Sequence, residues 1–254
     1  MNTLTPNPGR LVALGRSELT LLVRNRAALS LALLMPLLMV GVLRSSLSGI
    51  DGAQALGEAT LTGGVGMVLI LVVYMNLVSA YVARREELVL KRLRTGEAND
   101  LEILTGSALP SAALALGQIA VLAVAGAAAL DVRMPRSPLL LVAGVLAGVG
   151  LLAAMAAVTS SFTRTVESAG ITTLPLFLLT AFGSGLFMPA DSLPDPVAEV
   201  AELLPLSGVM TLVRAGWSGG AQSGELLTAA AASLAWIMIS VFAVQRWFRW
   251  EPRR

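Results

Sequence analysis

Residues 139–158 read LLLVAGVLAGVGLLAAMAAV. These twenty residues carry no Asp, Glu, Lys or Arg. A helix of that length rises about 30 Å, the thickness of a bilayer's hydrocarbon core. Lipid offers no partner to backbone amides and carbonyls, so a segment inside it must satisfy them itself, as a helix does. The stretch is too long for a barrel strand and does not alternate apolar with polar residues. Five further segments read the same way. They are residues 27–43 with Pro36 inside, 61–82, 108–130 opening near Pro110, 169–188 with Pro175 inside, and 226–244. A signal peptide at the first of these fits poorly, because its leader is long and more spans follow. The expected fold is an all-α integral membrane domain over residues 1–254 with six transmembrane helices.

Composition agrees and excludes other chemistries. Of 254 residues, 56% are hydrophobic and only 13% charged, and mean hydropathy is +0.77. The chain has no His and no Cys, which removes disulfides, thiolate metal sites and His-dependent catalysis. The net charge of +2 is too small, and the arginines too scattered, for a nucleic-acid surface. The spans hold no ionisable residue, which argues against a proton relay. Sodium coupling through backbone carbonyls is less strictly excluded.

Basic residues set the expected orientation. Fourteen of the 18 Lys and Arg fall in the N-terminal leader, the second and fourth connections and the C-terminal tail; four fall in the other three connections. Both termini are therefore expected in the cytoplasm, with Trp247 and Trp250 as an interfacial anchor after the last span; arginine over lysine and abundant Ala and Gly suggest a bacterial cell membrane.

Three segments outside the spans carry information. Residues 10–26 place Leu11, Leu14, Leu21 and Leu22 opposite Arg10, Arg16 and Arg24, an amphipathic helix suited to the headgroup plane. Residues 84–102, RREELVLKRLRTGEANDLE, mix both signs of charge. Glu87 and Lys91 have the i,i+4 spacing of a helical ion pair, and Val89, Leu90 and Leu93 form an apolar ridge that could dock on a soluble partner. The plainer alternative is a solvated loop. Residues 189–224 contain four prolines and two short apolar stretches, read as an outer re-entrant pair of helices with Trp217 at the interface.

Candidate residues for a substrate path are few. Asn76 and Gln118 are the most polar residues of the second and third spans; each either bonds a neighbouring helix or faces cargo. In the fifth span Thr173, Phe177, Thr180, Ser184 and Phe187 share one stripe. That stripe either lines a cavity for an amphipathic ligand or packs against a second copy of the chain. Gly144 and Gly148 form a G-x-x-x-G pair suited to close helix packing. No catalytic or metal site and no cofactor is expected. A Walker A loop needs Gly-Lys-Ser/Thr, but Lys91, the single lysine, stands between Leu90 and Arg92.

The amphipathic leader ending at Arg24-Asn25, the six spans, the segment REELVLKRLRTGEANDLEILTGSALP and the outer segment FMPADSLPDPVAEVAELLPLSGVMTLVRAGWSGG together resemble a known family. It is the membrane subunit of ATP-binding-cassette exporters of the type-2 permease class, which includes daunorubicin-resistance-type exporters. The resemblance implies that the leader is a connecting helix. Glu86 to Arg94 would be the coupling helix that contacts the ATPase, through Glu86, Glu87, Val89, Leu90, Lys91, Leu93 and Arg94. It implies ATP and magnesium on a separate ATPase subunit, two such subunits per transporter, and a second permease copy. One departure is Gly96-Glu97, where related permeases often carry proline after the coupling helix. The implied function is export of an amphipathic or lipophilic substrate. The competing reading is a non-transporting membrane anchor or sensor that recruits a cytoplasmic partner; loss of residues 194–219 would then be harmless.

Overall fold

The computed structural model describes residues 53–96, 99–129, 132–184 and 194–251, plus isolated positions between 9 and 42. The expected leader helix and first span lie outside the described residues apart from those positions, of which Arg16, Arg24, Leu34 and Leu38 are helical and exposed. The described residues form helices and no strand.

The second expected span is α1 (Ala53–Val68), a π-helical stretch (Leu69–Met75) and α2 (Asn76–Glu86). A short helix, α3 (Val89–Arg94), follows a tight turn. Then come α4 (Asp100–Ala129), α5 (Pro138–Phe162) and α6 (Val166–Gly183). Two shorter helices, α7 (Asp195–Glu202) and α8 (Ser207–Ser218), precede the last, α9 (Ser223–Trp247). Five helices among the described residues are long and apolar enough to cross a membrane: Leu56–Glu86, α4, α5, α6 and α9. This is a multi-pass, all-α membrane protein.

The helix ends have local causes. Pro138 starts α5 at a position where its missing N–H costs nothing. Thr165 and Ser168 form a reciprocal capping box for α6. The third span opens earlier than Pro110. Asn99 Oδ1 accepts from the Glu102 N–H at 2.7 Å, and the Glu102 carboxylate accepts from the Asn99 N–H at 2.9 Å. This second capping box starts α4 at Asp100 and leaves Pro110 in the helix interior.

The Leu56–Glu86 span forms the centre of the core, burying Leu61, Leu69, Ile70, Tyr74, Leu77 and Tyr81. Outward faces of α4, α6 and α9 expose Val124, Ile171, Leu178, Leu227 and Phe242, as lipid contact requires.

α7 and α8 meet at 86°, the geometry of a re-entrant or broken span. α8 is held inside the bundle. Trp236 Nε1 donates to the Leu203 carbonyl at 2.9 Å, and Ser207 Oγ donates to the Gly183 carbonyl at 2.9 Å. From that corner α8 runs along α5 until the N–H groups of Arg136 and Ser137 donate to the Trp217 and Gly216 carbonyls. Glycines permit the approach. A Cβ on Gly208 would lie 2.5 Å from the Ala229 carbonyl oxygen, and one on Gly216 would lie 2.5 Å from the Leu141 nitrogen. Gly144 faces Leu212 and Val213, and Gly148 faces Leu69 and Val209, so the G-x-x-x-G pair of α5 serves close packing. Trp217 does not project from the bundle as an interfacial anchor would: its side chain is fully buried. The apolar face of α8 explains the difference, because it turns inward against α5 rather than outward to the headgroups.

Candidate functional site

The end of the bundle that holds the C-termini of α2, α5 and α9 also holds most of its basic residues. Arg85 anchors it. Its guanidinium is fully buried and donates to the carbonyls of Ser160 at 2.7 Å and Thr163 at 2.5 Å. Those carbonyls lie at the end of α5, where helix geometry leaves oxygens without intrahelical partners and the macrodipole favours a cation. The neighbouring Arg84 donates to Ser107 Oγ on α4 at 2.8 Å. The two arginines therefore fix where α2 ends relative to α4 and α5.

Just beyond, the chain reverses. Glu87 and Leu88 form a turn, and Leu88 adopts a left-handed conformation with φ of 60°. A non-glycine residue there is strained, and such strain persists only where surrounding contacts impose it. The helix does not run unbroken from Glu86 to Arg94: Glu86 closes α2, and α3 holds only Val89–Arg94. The expected Glu87–Lys91 pair is therefore absent, since the turn takes Glu87 off the helix. Lys91 Nζ instead lies 2.8 Å from the Glu251 carboxylate. Nor is the Val89, Leu90 and Leu93 ridge free to dock. Leu90 is fully buried, and Val89 and Leu93 are half-buried. Glu86, Glu87, Leu88, Lys91 and Arg92 are exposed at this corner.

The tail after α9 packs on α3. Arg94 sits 4.8 Å above the Trp250 ring, a cation–π contact. It also pairs with Asp100 at 3.1 Å, and that carboxylate is almost fully buried. Phe248 touches Trp250 and Tyr81 edge-on, at centroid distances of 4.9 and 6.1 Å. Trp250, expected as an interfacial anchor, packs against Arg94 and Phe248. Sequence reading missed this strap. Its only signal is Glu251 beside the alternating Arg and aromatic residues of 246–250.

The candidate path residues separate. Asn76 Nδ2 donates to Ser111 Oγ at 3.1 Å, joining α2 to α4, while Asn76 itself stays exposed. Gln118 is buried within the chain. Thr173 and Thr180 are buried, with hydroxyls donating to carbonyls of their own helix, and Phe177 is half-buried. Ser184 is buried but caps α6 rather than lying within it. Phe187 lies outside the described residues. Three of the five stripe residues, Thr173, Thr180 and Ser184, are therefore buried inside this chain, and Phe177 lies at the edge of its surface.

The family model described as ABC-2 family transporter protein matches residues 51–244. No curated protein matches.

Proposed function

The chain belongs to the ABC-2 transporter family, and from that premise we propose that it is an exporter permease driven by a separate ATPase at the α2–α3 corner. Family membership makes it the membrane component of an ABC transporter and implies association with an ABC ATPase subunit. The finer reading goes further. Two permease copies and two ATPases form the transporter, and the basic end of the bundle faces the cytoplasm. ATP and magnesium bind the ATPase alone. The cargo is amphipathic or lipophilic, passing between the two copies.

One observation carries the reading. A strained turn at Leu88 presents an apolar side chain, 42% exposed, between Glu87 and Arg92 at the end of the most buried span. An exposed Leu flanked by charges gives a partner an apolar contact together with charges that fix its register. Behind it, Arg85 fixes the α2 terminus to α5, so force on the corner moves the core rather than a loose loop. ATP binding then shifts the population between inward-open and outward-open states, to the extent that the ATPase binds the two states unequally. On this reading Asn76 and Phe177, the partly accessible path candidates, face the cargo route. Gln118, Thr173, Thr180 and Ser184 hold the helices that border it.

The test is Leu88→Asp with Glu87→Arg, co-expressed with the cognate ATPase. Both side chains are exposed, so the permease inserts and folds. ATP-dependent accumulation of a lipophilic dye in inverted vesicles is expected to be lost. Transport at the wild-type rate would refute the reading.

A further inference from the structure

Beside the corner lie two adjoining cavities of opposite character. One has a volume of about 380 Å³, within the usual range for small-molecule sites. Its walls are mainly apolar and include Leu104, Ala108, Gly150, Ala154, Val244 and Phe248. It extends along α4 from Asp100 to Ala108, a rise of about 12 Å. The other is more open and more polar than the first, lined by Lys91, Arg94, Thr95, Arg249, Trp250 and Glu251. The two share Arg94 and Trp250. Arg94 has Asp100 as partner and Lys91 has Glu251, so Arg249 is the cation left over. It pairs with no acid among the described residues.

We propose that this double cavity binds one anionic phospholipid, with an acyl chain in the apolar compartment and the phosphate at Arg249, Lys91 and Arg94. Three features select that occupant. Charge complementarity comes first: the mouth carries three cations against Asp100 and Glu251, leaving a net positive site. The second is depth. The apolar compartment begins beside the basic mouth and runs into the span region, as a lipid tail runs from its headgroup. The third is the aromatic side chain between the compartments, since Trp favours the boundary between headgroup and hydrocarbon. The bound lipid would wedge between α4, α5 and α9 and brace the strap on α3. The site depends on membrane insertion alone and stands whether or not the chain exports anything.

Gly150 provides a clean probe. A Cβ there meets nothing within 4 Å and Gly150 lines the apolar compartment, so Gly150→Leu extends a side chain from that wall without a Cβ clash against backbone. The full-length chain would be purified, delipidated and titrated by native mass spectrometry with phosphatidylglycerol and phosphatidylcholine of matched acyl chains. Each basic side chain near a headgroup contributes roughly fivefold in affinity for anionic lipid. With one net positive charge at the mouth, wild type is expected to prefer phosphatidylglycerol by roughly fivefold. Arg249→Gln should lower that preference by roughly fivefold, and Gly150→Leu should remove the tight site for both lipids. Ala154→Leu, on the same wall, is a second blocking variant should the first fail to insert. Equal retention of the two lipids by wild type would overturn the proposal. So would unchanged phosphatidylglycerol binding in either blocking variant, the result expected if residues 10–43 of the chain fill the cavity instead.

Discussion

Lys91 Nζ lies 2.8 Å from the Glu251 carboxylate, so the chain's single lysine joins α3 to the C-terminal tail. Both side chains are more than half exposed. An exposed pair of this kind contributes about 0.2–1 kcal/mol. Its neighbour, the Arg94–Trp250 contact, is less exposed to solvent screening and is backed by Phe248.

A graded outcome follows for the strap. Glu251→Gln should cost under ~1 kcal/mol. Trp250→Ala should cost ~1–2 kcal/mol, through the cation–π and edge-to-face contacts. Hydrogen exchange over residues 89–94 should accelerate strongly in Trp250→Ala and little in Glu251→Gln. The reverse order would show that the ion pair, not the aromatic contact, holds α3.

Arg85 should be the least replaceable charged residue described. Arg85→Leu leaves the Ser160 and Thr163 carbonyls without their buried donor, at ~1–3 kcal/mol for each unsatisfied group. Arg85→Lys keeps the charge but not the fork that reaches both oxygens, and should recover only part of the loss. Thermal unfolding in detergent, followed by intrinsic Trp fluorescence, ranks the three proteins. An Arg85→Leu variant as stable as wild type would contradict the assignment.

Glycines divide by what surrounds them. Gly208→Ala and Gly216→Ala place a Cβ 2.5 Å from fixed backbone, so α8 must shift, and destabilisation of ~1–3 kcal/mol is expected. Gly63→Ala meets nothing within 4 Å and should be neutral or stabilising by up to ~1 kcal/mol through helix propensity. Similar losses at all three positions would mean that α8 does not approach α5 and α9 as described.

The long spans were legible because their apolar runs exceed any competing element, and 139–158 differs from observed α5 by only a few residues at each end. The start of α4 was not, because Asn99 and Glu102 read as loop polarity when they are a reciprocal cap. Trp217 was misplaced because an amphipathic helix of α8's length fits an interface or a core equally well, and only the glycines of α5 and α8 decide. The corner was half legible. Charge pattern located it, but the turn at Leu88 depends on a left-handed residue that no glycine announces. Burial of α8 also changes one test. Deleting residues 194–219 would remove core side chains of any membrane protein with this fold, so it no longer separates an exporter from an anchor.

The central claim is that the ATPase meets the chain at Leu88. The native chain has no Cys, so a single introduced thiol reports one position only. Leu88→Cys and Leu203→Cys are both exposed, the second at the α7–α8 corner. Each would be co-expressed with the cognate ATPase and treated in membranes with a short thiol-to-amine crosslinker. A permease–ATPase adduct is expected from Leu88→Cys, diminished by excess soluble Leu88-region peptide, and none from Leu203→Cys. An adduct from Leu203→Cys with none from Leu88→Cys would contradict the claim.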